Sequence, residues 1–199
     1  MKFRFVLAVI ILSLIAGGCL VSEGAFYDPG DIVQDDRGIG AYEVQGEKDA
    51  RWTVSRSSKQ KQAYSVILQE PGAVTEFIGV LFKVNNNLFF DLSQNSASGQ
   101  HHEPGSAPTM TEIMRATTAG KRHFVLAVTF ADTAVVCRFI SREGSRVLSN
   151  EDGRTRSYVK DGWLILPATP GLARGVLVKH GANTRLFDAE TRVGKTSKK

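Results

Sequence analysis

The chain has 199 residues, 42% of them hydrophobic and 23% charged, which is enough apolar matter for one packed domain and too much for a disordered polymer. Its 25 basic residues outnumber 20 acidic ones, but they are scattered, with no basic stripe interleaved with aromatics, so the charge gives no argument for a nucleic-acid partner.

The first element is a leader. Lys2 and Arg4 precede the apolar run "FVLAVIILSLIA", Phe5 to Ala16, which closes on Gly17, Gly18 and Cys19. A bilayer-spanning helix needs about 20 apolar residues, so this shorter run has the proportions of an export signal. The string "IAGGC" resembles the lipobox of bacterial lipoproteins, in which a diacylglyceryl group is attached to the cysteine thiol and the peptidase cuts just before it. That resemblance implies a lipoprotein signal peptide over 1–18, lipidation of Cys19, and a mature chain held on a membrane of the bacterial cell envelope. Two glycines let extended backbone approach the processing machinery, and a thiolate is the strongest side-chain nucleophile. Leu20 follows the cysteine where aspartate would signal inner-membrane retention in enteric bacteria, which favours the outer membrane, facing the periplasm. An ordinary secretory signal with an incidental cysteine, or an uncleaved anchor, are the alternatives. Without residues 1–18 the net charge falls from +5 to +3, because Lys2 and Arg4 go with the leader.

Residues 19–49 read as a tether and lead-in, rich in glycine and acids and without sustained period, its start a flexible spacer. A single β-rich domain is expected over 50–190. "RWTVSRS" places Trp52, Val54 and Arg56 on one face, and "AYSVILQ" does the same with Tyr64, Val66 and Leu68, the polar "SKQKQ" being the hairpin turn between them. After "EPGA", the run "VTEFIGVLFKV" sets Phe77, Gly79 and Leu81 against Ile78, Val80 and Phe82. Asn85 to Asn87 tolerate positive φ and turn the chain into "LFFDLS". Ser93 to Pro108 has almost no apolar side chains and reads as a mobile loop. "TMTEIMRAT" fits a helix or a strand. Two further strands, Phe124 to Phe130 and Val135 to Ile140, flank "ADT"; a polar connection follows, and "SYVKDGWLILPA" makes a last hairpin about Asp161-Gly162. Thr169 as N-cap, Pro170 at the first position and Gly181 in the left-handed conformation past the end bracket a helix with the stripe Leu172, Ala173, Val176, Leu177. Residues 191–199 read as a flexible tail. Seven to nine short strands and one helix near the C-terminus predict a mainly β fold, an antiparallel lipocalin-like barrel, with a β-sandwich as the alternative.

The blocks "WTV…YSVIL…TEFIGVLFKVNNNLFFDL", "RHFVLAVTF" and "WLILPATPGL…TRLFD" look like those of a group of uncharacterised bacterial lipoproteins. These are packing patterns, so the resemblance transfers no functional residue beyond Cys19. Chemistry elsewhere is sparse. His101, His102 and Glu103 form the one local cluster of metal-ligand type, on the loop expected to be mobile, with His123 and His180 far off in sequence; a solvated polar stretch is favoured over a metal site. No nucleophile elbow, Ser-x-x-Lys, phosphate loop or dinucleotide fingerprint occurs, and no cofactor is expected. Cys137, on the strand face of Val135 and Phe139, reads as a buried hydrophobe-like thiol. Asp91 alternates with Phe90 and Leu92, so it is expected to face solvent; in a cavity with a histidine and a hydroxyl it would mark an enzyme, a hydrolase-like enzyme with an unrecognised site being one rival reading and a structural or assembly lipoprotein the other. Trp52, Trp163 and Tyr64 could line a ligand cavity or fill the core. The expectation is a lipid-anchored, non-enzymatic envelope protein, its partners the membrane through Cys19 and either a small apolar ligand or a periplasmic protein. An interior of roughly 300 Å³ or more would favour the ligand, a filled one a surface role.

Overall fold

The computed structural model describes residues 20–44, 49–71, 73–94, 122–131, 134–140, 144–145, 148, 158–160, 163–169, 171–183, 186–187 and 191–195. The leader with Cys19, the loop after residue 94 with His101, His102 and Glu103, "TMTEIMRAT", and Asp161-Gly162 lie outside them.

Eight antiparallel strands close into a barrel. In chain order the strands β1 (Leu20–Ser22), β2 (Gly40–Val44), β3 (Arg51–Arg56), β4 (Tyr64–Glu70), β5 (Ala73–Val84) and β6 (Asn87–Gln94) lead to β7 (His123–Phe130) and β8 (Ala134–Phe139). The hairpin β9 (Tyr158–Lys160) and β10 (Trp163–Leu166), the helix α1 (Leu172–His180) and the strand β11 (Thr191–Lys195) follow. From β2 to β8 each strand pairs with the next, and β11 completes the circle between β8 and β2, with Val193 opposite both Val135 and Val44. Closure removes the edges an open sheet would expose. β1, β10 and β9 form a flange: β1 takes over the edge of β7 where β8 leaves it, pairing Val21 with Phe124, and runs parallel to β10.

Alternation builds two cores. Inward go Trp52 and Val54, Tyr64, Val66 and Leu68, Phe77 and Leu81, Phe124 and Leu126, Cys137 and Phe139. The opposite faces of β5 to β7 carry Phe82, Phe89 and Val125, which pack outside the barrel under Leu20, Phe26, Leu148, Leu166 and the helix residues Ala173, Val176 and Leu177. This second layer explains why β5 is apolar on both faces. Gly79 is required inside: a Cβ there would lie 2.4 Å from the ring of Phe90, which stands edge-on to Tyr64 at 5.7 Å.

Three expectations need correction. Residues 20–44 are no spacer: Leu20 is 1% exposed and Val21 0%, and both are bonded into the sheet. Residues 191–195 are no flexible tail but the strand that closes the barrel. Thr169 does not cap the helix; the N-cap is Gly171 with φ 74°, and Gly181 after the helix is right-handed at φ −61°. Gly181 is instead needed for closeness, since a Cβ would meet Leu177 O at 2.5 Å and Phe89 at 2.9 Å. The Asn turn behaves as expected, with Asn85 at φ 55° and its amide donating to Val178 O at 3.2 Å, which ties the turn to α1.

Candidate functional site

Two places gather chemistry. The first is on the outer wall of β6 and β7. Asp91 points away from Phe90 and Leu92 as alternation demands, yet it is only 2% exposed, because the lead-in crosses that face. Its Oδ2 accepts from Phe26 N at 3.0 Å, and His123 Nδ1 lies 2.9 Å from Oδ1 and 3.1 Å from Oδ2. The solvent-facing expectation for Asp91 is thus overturned: period 2 says which face a residue takes, not what covers that face. Burial pulls the His123 imidazole down, but the hydrogen bond and charge of Asp91 outweigh it and leave the ring above its ordinary value. Tyr27 is raised by burial and by the charge of Asp91.

Asp91, a histidine and a hydroxyl are therefore neighbours, the combination that would mark an enzyme. Ser22 stands directly opposite His123 in the β1–β7 register, giving the residue types of a nucleophile, base and orienting acid. The geometry does not support that chemistry. Ser22 is 0% exposed and its Oγ accepts from Gly24 N at 3.1 Å, and neither Asp91 nor His123 lines any of the three pockets described below. What the cluster does is fasten the lead-in to the wall: Phe26 N to Asp91 at one point, and further along Asp31 accepting two bonds from the Arg174 guanidinium of α1, at 2.5 and 2.9 Å.

The second place is the barrel mouth ringed by the β3–β4, β5–β6 and β7–β8 turns. Past Asp31 the lead-in bonds the free edge of β5, with Val33 N donating to Leu81 O at 3.0 Å, and then crosses the mouth as a strap, Val33 to Ile39. The hydroxyl of Tyr64 accepts from Asp35 N at 2.8 Å and donates to Asp35 O at 3.2 Å; that of Tyr42 donates to Arg37 O at 3.2 Å. Arg56 stacks on the Tyr64 ring and pairs with Asp36, while Arg37 lies over Phe130. Val33 and Ile39 pack onto the interior core.

Beneath the strap remains a cavity of about 50 Å³, lined by side chains that include Tyr42, Trp52, Tyr64, Leu81, Phe90 and Cys137. Trp52 is 6% exposed and its Nε1 is buried without a hydrogen-bond partner. Burial pushes the Cys137 thiol up to about 12, so it stays protonated and unreactive, as its sequence context suggested. Outside the mouth, two open grooves of about 210 and 300 Å³ flank Arg37 and Phe130, the larger reaching Arg138 and the residues after α1. The side chain of Trp163 lies outside the described ones. Among the described residues no group of three or more His, Cys, Asp and Glu is placed to hold a metal ion.

Sequence reasoning named Asp91, Tyr64 and Trp52 but set Asp91 in solvent and left Tyr64 and Trp52 between core and cavity; the structure puts Asp91 under the lead-in and the other two in the lining beneath the strap. The strap was missed because only its ends, Val33 and Ile39, are apolar, and the polar run Gln34 to Gly38 between them shows no sustained pattern. Comparison with protein-family models, with curated proteins and with solved structures returns no match.

Proposed function

We propose that this chain is a lipid-anchored protein of the bacterial cell envelope, bonded to lipid through Cys19 and held at the outer membrane on its periplasmic side, with its barrel serving as a non-enzymatic interaction module. The lipobox-like "IAGGC" supports the anchor. One observation of geometry carries the rest: among the described residues the pocket under the strap amounts to about 50 Å³, whereas sites for drug-sized ligands run from about 300 Å³ upward. A module built this way meets a macromolecular partner through its outer surface.

Mass spectrometry of the protein extracted from bacterial membranes tests the anchor directly. The expected mass is that of residues 19–199 plus acyl groups, and Cys19→Ala should leave unprocessed precursor and no acylated form. An exported chain with unmodified Cys19 would refute the anchor; acylated protein that co-purifies with a bound molecule of lipid size inside the barrel would refute the surface role.

A further inference from the structure

The buried indole of Trp52 has no role in the reading above. An N–H withdrawn from water and left unpaired costs about 1–3 kcal/mol, and natural cores retain few of them. Trp52 sits in the middle of β3, with Tyr42 and Leu68 directly opposite on the neighbouring strands, and its side chain lines the cavity under the strap. Every other donor in that lining is committed: the Tyr64 hydroxyl to the backbone of Asp35 and the Tyr42 hydroxyl to Arg37 O, while the Cys137 thiol is a weak donor.

We infer that this cavity is a binding site for a small neutral molecule with an apolar body and one carbonyl-type acceptor, which takes the hydrogen bond of Trp52 Nε1. Charge decides against an anion. Among the described residues no lysine, arginine or histidine lines the cavity, the Cys137 thiol stays neutral, and the one carboxylate in the lining, that of Asp35, does not favour a negative ligand. Size decides against a bulky one. About 50 Å³ exceeds the roughly 10–15 Å³ that holds one water molecule on the same measure and accommodates a body of a few heavy atoms. The wall of Val66, Leu81, Phe90 and Leu126 offers such a body dispersion contacts and no polar competition. Access runs through the mouth, past the strap Val33–Ile39, whose hold on the barrel rests on the two bonds of Tyr64 to Asp35.

Acetone and isobutene are the probes, alike in shape but differing in the acceptor. The readout is the indole Nε1–H signal of Trp52 in ¹⁵N-labelled protein, assigned with Trp163→Phe, since the chain has two tryptophans. Acetone should move that signal downfield along a saturating curve, and isobutene should not. Trp52→Phe should weaken acetone binding, followed by saturation transfer from protein to ligand, by about 2- to 10-fold and leave isobutene binding unchanged. Tyr64→Phe, which keeps the indole, should accelerate acetone exchange. The inference is overturned if acetone leaves the Trp52 signal in place, if isobutene moves it equally, or if the indole holds a long-lived water that acetone does not displace. None of these readings involves Cys19, so they are independent of the lipid anchor.

Discussion

Replacing Asp91 by alanine tests whether a buried carboxylate holds the lead-in to the barrel. The substitution orphans Phe26 N, which accounts for about 1–3 kcal/mol when a buried donor loses its acceptor, and it removes a charge-assisted bond to His123 of similar size. Water reaches the imidazole, whose side chain is 22% exposed, and recovers part of the second loss. A net destabilisation of about 3 kcal/mol follows, which at a urea dependence of about 2 kcal/mol per molar moves the unfolding midpoint down by roughly 1.5 M. Urea titrations followed by circular dichroism, at pH 6 and pH 9, give the second half of the test. The folded protein holds the His123 value above the unfolded value near 6.5, so its contribution is fully present below about 6.5 and is lost as pH climbs through the raised folded value. Tyr27 does not confuse this window, because its hydroxyl is held above 10. Wild-type stability should therefore fall from pH 6 to pH 9, and Asp91→Asn, which keeps an acceptor for Phe26 N but no charge, should flatten that fall. A loss below about 1 kcal/mol for Asp91→Ala, or an Asp91→Asn profile parallel to wild type, would refute the reasoning.

Tyr64→Phe should cost about 1–2 kcal/mol in the same titrations and raise amide exchange at Asp35 to Ile39 well above that of β5, because both hydroxyl bonds to the strap go together. Gly79→Ala should destabilise by about 1–3 kcal/mol, since the added methyl collides with the Phe90 ring between two packed strands; unchanged thermal stability would show that the ring moves aside freely. Removing residues 191–199 should leave a chain that aggregates or fails to fold, because β8 and β2 are then exposed edges; a soluble, cooperatively unfolding product would contradict the closure role of β11.

What could be read in the sequence was whatever local pattern determines. Strands β3 to β8 were legible because each runs six residues or more, with alternation as in Trp52 and Val54 or Tyr64, Val66 and Leu68, or with apolar side chains on both faces as in β5, and because Asn85 supplies its turn. β11 was not, since "TRVGK" is short, charged and interrupted by Gly194; its strand character comes from two edges, β8 and β2, that wait for it. β1 was hidden for the same reason, its three residues acquiring partners from β7 and from β10, more than a hundred positions away. Asp91 shows the other limit. Its face followed from period 2, but the layer over that face is assembled from Phe26, Tyr27 and α1, which no window of sequence brings together.

The entry of the chain into β1 has a mechanical meaning. Consecutive Cα atoms are about 3.8 Å apart, and Leu20 is already buried and paired with Leu164 in the sheet. With lipid bonded to Cys19, no slack would separate grease from folded protein. Such a molecule would ride flush on its leaflet, unable to reach across the compartment or swivel freely, and would meet only those neighbours that come to the same surface.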